Sequence, residues 1–442
     1  MWSGYSLKFW SVSRREELTS KYIFQLKNNL FFKNIAVVTG GNIAAKLVGI
    51  LSAPIITRLF SPEDYGIFST LLAISGIAGA IATLRYAIAI PLAKDEKLAE
   101  NLLRLSFLIT LFLNLPWIVL IFLFGESLTV LFSITEITPF LWVLPIIFFS
   151  QGLYLSLTNW AIREKKFGLI TQTKITQSVS SSGIKIGLGL LSIKPLGLFI
   201  GHIVQEFAGT GRLLSTLLKS KPDFFKYFSW TEIKFAASRY KDFPLIQSWS
   251  QLLLGLGAQL PVILIGSLYG VEVVGVFGLA QNMISIPMNL LGQSVGQVFY
   301  AEISKYGIDN KLKIYKLALS IIFKMFWLSI VPLSLVIAFG PRIFNLVFGS
   351  EWIDAGVYAR FLSMTMLVRF ISNPIMSALN VLEKQGIQLF LNSVKVLIVF
   401  FIFTTSYLLA FTAVEAIIFY GVIFPIYSLI ELFVTLRILK KT

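Results

Sequence analysis

The chain has 442 residues, 56% of them hydrophobic and 14% charged, with a formal net charge of +16. A soluble fold of this length carries about a quarter charged residues, and here apolar runs of membrane-crossing length recur from Ile35 almost to the end. The composition therefore excludes a soluble enzyme or nucleic-acid binder and predicts an all-α polytopic membrane protein. With no cysteine and a single histidine, there is no disulfide framework, no thiol chemistry and little scope for a metal centre.

In chain order, residues 1–34 form a basic, aromatic N-tail, too polar for a signal peptide and expected at the inner membrane surface. Twelve spans follow, near 35–57, 65–92, 105–125, 138–159, 173–193, 195–218, 243–268, 273–300, 317–340, 355–382, 386–410 and 414–436. They group as an N-lobe (35–218) and a C-lobe (243–442). Between them, "KSKPDFFKYFSWTEIKFAASRYKD" (219–242) reads as an interfacial helix bridging the two halves. The tails and even-numbered connections hold 28 of the 38 Lys and Arg; the odd-numbered connections hold only Arg58, Lys194 and Arg342. Basic residues collect on the cytoplasmic side, so both termini are expected there. The odd-numbered connections are too short to house an enzyme, and no catalytic residues or cofactor are expected.

The two halves repeat. "LFSPEDYGIF" (59–68) matches "LYGVEVVGVF" (268–277), each joining a first span to a second. "FGESLTVLF" (124–132) corresponds loosely to "FGPRIFNLVF" (339–348), and "REKKFG" (163–168) to "LEKQG" (382–386). Six spans per half is an even number, so the halves share an orientation, with a substrate site expected between them. The Glu-x-x-Gly motif has a local explanation: Pro62 starts a turn, Glu63 and Asp64 favour a helix start, and Gly66 permits close packing.

The stretches "PIITRLFSPEDYGIFSTLLAI" (54–74) and "TLRYAIAIPLAKDEKLAENLLRLS" (83–106) resemble the N-terminal signature of bacterial oligosaccharide flippases. That family belongs to the multidrug/oligosaccharidyl-lipid/polysaccharide exporter superfamily. Matched positions are Arg58, Pro62, Glu63, Tyr65, Gly66, Arg85, Tyr86, Pro91 and Lys94; Ala87 stands where many relatives have an acid. The resemblance implies an undecaprenyl-pyrophosphate-linked oligosaccharide as substrate, the bacterial cytoplasmic membrane as location, and surface polysaccharide such as O-antigen as product. A polysaccharide polymerase is then the expected partner, beside membrane lipids and a coupling ion (H+ or Na+).

Seven cations fall inside spans: Lys46, Arg85, Lys185, Lys324, Arg360, Arg369 and Lys395. Only Glu206 and Glu431, with Glu415 near an end, are available to neutralise them. Charges at membrane depth face water or a partner, and an anionic headgroup is such a partner. Lys46, Arg85, Arg369 and Lys395 are the candidate anion ligands, while Arg360 is expected to reach the interface. Lys185 is expected to pair with Glu206, which shares a helical face with His202; these three form a coupling or structural set. Amides recur at helical spacing in the seventh and eighth spans: Gln247, Gln251 and Gln259, then Asn282, Asn289, Gln293 and Gln297. They serve either helix packing or a sugar-binding groove, and in the superfamily these spans line the central cavity opposite Lys46 and Arg85.

Alternating access is the expected mechanism, with Leu260-Pro261 and Ile286-Pro287 as bends. Outward movement of a diphosphate is favoured by an inside-negative potential, about 2.3 kcal/mol per charge per 100 mV. No GxxxxGK[ST] motif occurs, so ATP is not the direct fuel. The alternative is a multidrug or metabolite antiporter of the same superfamily, which would need carboxylates in the cavity-lining spans.

Overall fold

The computed structural model describes residues 40–306, 310–382 and 384–440. The expectation for the N-tail lies outside them. Among the described residues the regular structure is entirely helical. The N-lobe holds α1 (Gly40–Leu59), α2 (Pro62–Gly79), the short α3 (Tyr86–Ala89), α4 (Glu96–Leu131), α5 (Val143–Arg163), α6 (Phe167–Leu190) and α7 (Leu196–Ser220). After α8 (Trp230–Arg239), the C-lobe holds α9 (Ser248–Tyr269), α10 (Val271–Tyr306), α11 (Lys311–Phe348), α12 (Ile353–Met376), the short α13 (Ala378–Val381), α14 (Gln385–Leu408) and α15 (Ala413–Lys440).

Twelve of these helices have 18 or more residues, six in each lobe, at the positions of the twelve expected spans. Seven of them (α1, α4, α9, α10, α11, α14 and α15) are long and apolar enough to cross a membrane by length and composition alone. The other five pack their polar residues inside the bundle: Thr70 on α2, Ser150 and Ser156 on α5, Thr173 on α6 and Ser363 on α12 are fully buried. Most such hydroxyls donate to a backbone carbonyl one turn back on their own helix, as in Thr70 to Gly66 and Ser156 to Gly152, and so add no unpaired donor to an apolar interior. The outer face of α4 is its complement, with Phe122 87% exposed among other bare apolar side chains, as suits a helix against acyl chains.

The expected second span, 65–92, is not one helix. α2 stops at Gly79, and residues 80–85 form successive turns in which Leu84 (φ 44°) and Arg85 (φ 64°) are left-handed. A broken helix at membrane depth needs its freed carbonyls satisfied, and the Thr110 hydroxyl of α4 donates to Ala82 O at 3.1 Å. Irregular backbone, rather than a continuous apolar helix, is the setting of Arg85.

The repeated motif is where the lobes meet. Ser61 caps α2, accepting from the Asp64 N–H while the Asp64 carboxylate accepts from the Ser61 N–H, with Pro62 in the first turn. Four residues on, Gly66 lies against the Val271 carbonyl of α10, and Gly275 of α10 lies against the Pro62 carbonyl of α2. A Cβ on either glycine would collide with backbone. Pro62 and Val271 are equivalent in the two repeats, so α2 and α10 cross about a local pseudo-twofold axis, at the end of the bundle that carries the odd-numbered connections. Contacts from α1 and α2 reinforce this closure. Thr57 O accepts from Trp352 Nε1 at 2.8 Å, Arg58 Nη2 donates to Leu346 O at 3.3 Å, and the Tyr65 and Trp352 rings meet edge to face at 5.6 Å.

The connection 219–242 contains the expected helix, α8, and it docks on the even-numbered end of the N-lobe. Phe224, Ile233 and Ala236 join the core formed by Tyr86, Leu102, Leu103 and Trp160. Buried Arg104 donates to Phe224 O at 2.9 and 3.1 Å and stacks on the Phe224 ring. Lys97 meets Glu232 at 2.5 Å, and Lys221 bridges Glu96 and Glu100. Lys221 holds the Glu96 carboxyl below the usual carboxylate range, and Lys97 does the same for Glu232.

Candidate functional site

A cleft of about 410 Å³ lies in the C-lobe between α9, α10 and α12. Its polar wall consists of Arg369 and six side-chain amides: Gln259, Gln281, Asn282, Asn289, Gln293 and Asn373. Helical spacing builds it. Arg369 and Asn373 on α12 and Ser377 at its C-cap recur every four residues, as do Gln281, Ser285, Asn289 and Gln293 on α10. Gly292 and Gly296 of α10 leave room in front of Phe370 and Pro374. Pro261 and Pro287 lie inside α9 and α10, each within two residues of a cleft-lining amide.

Among the described residues, neither Arg369 nor any of the six amides has a hydrogen-bond or ion-pair partner in the protein. Among the described residues no acidic side chain lines the cleft. Counting 1.5 Å per residue from Ile353, Arg369 is about 24 Å from the closed end of the bundle, so the cleft runs from mid-depth towards the even-numbered end. It also touches the other lobe: Gln259 comes within 3.2 Å of the position a Cβ on Gly76 would take, and Gly255 of α9 packs on Ile77 and Ala80. The backbone break that carries Arg85 begins at this contact.

Of the residues expected to bind substrate, Arg369, Asn289 and Gln293 come together here, with Gln259 and Asn282 of the same amide stripes. Gln281 and Asn373 escaped notice in the sequence, although each lies one helical turn from a residue that lines the cleft. Gln247 and Gln251 sit nearer the start of α9 and do not line it.

Lys395 does not line it either. Its ammonium is 3.1 Å from the Glu431 carboxylate, which also accepts from the Tyr427 hydroxyl at 3.2 Å. The Lys395 stem lies against Gly257 of α9, so this pair ties α14, α15 and α9 together inside the C-lobe. Arg360, expected at the interface, donates to Ala338 O at 3.0 Å.

In the N-lobe, Lys46 lies on α1 one turn beyond Asn42, whose side-chain oxygen accepts from Lys174 Nζ at 2.6 Å. The two ammonium groups are electrostatic neighbours, and no acid is paired with either among the described residues. Among the described residues the buried Nε of Arg85 has no acceptor, and the nearby Thr83 hydroxyl is likewise unpartnered. Both sites can take an anion, but neither lines the C-lobe cleft.

The expected Lys185–Glu206 pair does not form. The Lys185 ammonium lies 4.9 Å over the Phe68 ring, its stem in the space left by Gly201, while Glu206 stands 4.0 Å from His202. The three remain one cluster within the N-lobe, because the His202 ring also packs edge-on against Phe68. Among the described residues no group of three or more His, Cys, Asp or Glu could hold a metal ion.

Comparison with known proteins agrees with this architecture. The chain resembles the inward-facing form of a multidrug resistance MATE transporter of the MOP superfamily, with a TM-score of 0.69 at 16% identity, covering 90% of this chain and 96% of that one. It also resembles the lipid II flippase MurJ in an inward closed form, with a TM-score of 0.67 at 15% identity, covering 89% and 87%. Over 133 residues it is 27% identical to the teichuronic acid biosynthesis protein TuaB of Bacillus subtilis (strain 168), a match that spans 30% of this chain and 27% of that relative. The fold is that of the multidrug/oligosaccharidyl-lipid/polysaccharide exporter superfamily, and the chain, matched by the family model over residues 55–357, belongs to the polysaccharide biosynthesis protein family.

Proposed function

We propose that this protein flips an undecaprenyl-pyrophosphate-linked oligosaccharide across the bacterial cytoplasmic membrane for assembly of a surface polysaccharide. The observation that carries the reading is the cleft: among the described residues, an unpaired guanidinium and six unpaired amides partway along the helical bundle, with no carboxylate lining it. Such a wall is costly to hold in lipid unless a polar, anionic ligand or water fills it. The multidrug antiporter alternative fits less well. Among the described residues of α1, α2, α9 and α10, the acids are Glu63, Asp64, Glu272 and Glu302, all near helix ends.

With both termini in the cytoplasm, the α2–α10 crossing closes the outer side and the cleft faces inward. The glycan enters it, the diphosphate lies near the cations of the N-lobe, and the lipid tail stays in the bilayer. Parting of the crossing then exposes the cleft outward. The Lys185, His202 and Glu206 cluster is the place for a coupling ion. A polysaccharide polymerase would take the product. In cells that depend on this protein for a surface glycan, Arg369→Gln should abolish surface glycan and build up its lipid-linked precursor, with normal levels of protein in the membrane. Unchanged surface glycan would refute the reading.

A further inference from the structure

The chemistry of the cleft narrows the substrate class, on the footing of the flippase reading above. Among its lining residues Arg369 carries the sole charge, and the polar groups around it are six amides and the hydroxyls of Ser285 and Ser377, which donate to the Asn282 and Pro374 carbonyls. A diphosphate has two or more charges and accepts hydrogen bonds without donating, so it is held where several cations converge. Here the other candidate cations are elsewhere: Lys395 is bound to Glu431, and Lys46 and Lys174 adjoin each other on α1 and α6. The amide carbonyl oxygens of the cleft would face phosphate oxygens with no proton between them.

Hydroxyl groups are different. Each donates and accepts, which matches the paired donor and acceptor of an amide. A single guanidinium fork matches a single carboxylate in bidentate geometry. The volume, about 410 Å³, falls in the range of small-molecule sites (roughly 300–1,000 Å³).

We propose that the C-lobe cleft binds one sugar residue of the glycan that carries a carboxylate. Arg369 takes the carboxylate, Asn373 and the amides of α9 and α10 take the ring hydroxyls, and the pyrophosphate sits outside this cleft. The anion recognised by Arg369 is thus supplied by the sugar rather than by the lipid headgroup.

Saturation-transfer NMR on the purified full-length protein tests this, with glucuronate, glucose and pyrophosphate as probes at millimolar concentration. Glucuronate should bind. Glucose should bind at least roughly tenfold more weakly, because it lacks the charge-assisted pair. Pyrophosphate should not displace glucuronate. Arg369→Gln should cost glucuronate about tenfold or more and leave glucose unchanged, while Arg369→Lys should cost less. Asn373→Ala should weaken both sugars, which keeps a readout if the arginine variants fail to fold. Equal binding of the two sugars, displacement by pyrophosphate, or no glucuronate binding would each overturn the proposal. Transport in vesicles separates the two ideas. Flipping of a lipid-linked glycan without glucuronate preference sinks the sugar assignment alone, and glucuronate binding without flipping sinks the flippase reading alone.

Discussion

Gly66 and Gly275 hold the same place in the two halves of the chain, and each lies against the backbone carbonyl at the start of the other's helix. Because a Cβ on either would collide with that carbonyl, the crossing is a close backbone contact that only this pair of residues permits. Gly275→Val should therefore part the lobes at the end they close. The chain has no cysteine, so a single Thr57→Cys reports the site without background. Thr57 is 2% exposed, and its thiol should react slowly with an impermeant maleimide in the parent and much faster with Gly275→Val present. Equal rates would show that the glycines do not set the closure.

The Lys395–Glu431 pair makes the opposite kind of prediction. Both side chains are largely buried, and removing one charge strands the other, which costs about 3–5 kcal/mol. Lys395→Gln should lower the thermal midpoint in detergent sharply. The double variant Lys395→Gln with Glu431→Gln should recover most of the loss and still transport. A transport defect in the stable double variant would give Lys395 a substrate role after all.

Arg85 separates backbone from charge. A left-handed φ of 64° is strained for arginine, by about 1–3 kcal/mol at such positions, and free for glycine. Arg85→Gly should leave the protein at least as stable by thermal unfolding, while transport falls because the buried cation is gone. Loss of both together would make Arg85 a folding residue.

The linker cluster predicts a pH response. Glu96 and Glu232 are held below their ordinary value of 4.5 by Lys221 and Lys97. A depressed carboxyl stabilises the docked linker above that value, and the contribution is lost as pH falls through the depressed one. Both carboxyls are exposed, so the effect is small and weakens with salt. Hydrogen exchange over 221–239 should speed up below about pH 4.5, beyond the intrinsic pH dependence, and less so in Glu232→Gln. An identical profile in the variant would remove the pair from the account.

Much of this was legible in the sequence, and the limits are physical. Apolar length gave the twelve helices because a span needs a fixed rise, and the repeat marked Gly66 as a place of close packing, but its partner at the start of α10 is set by how the two lobes cross. The break at 80–85 was hidden, since its residues are apolar and small and nothing in the composition shows that Thr110 will satisfy Ala82 O. Among the cations, depth alone could not sort Arg369 from Lys395. Among the described residues the first has no partner and the second has Glu431, a distinction set by how α14 packs on α15 and α9. Amide stripes were visible, but which amides share a cleft depends on the crossing of α10 with α12, so Gln281 and Asn373 emerged only in three dimensions.

Transport in sealed proteoliposomes tests the central claim most directly. An undecaprenyl-pyrophosphate-linked oligosaccharide with a labelled sugar is loaded in one leaflet, and its exposure to an impermeant glycosidase is followed from the other side. The account predicts time-dependent transfer by the parent protein and none by Arg369→Gln of matched stability. Transfer at the same rate by both, or by neither, would contradict it.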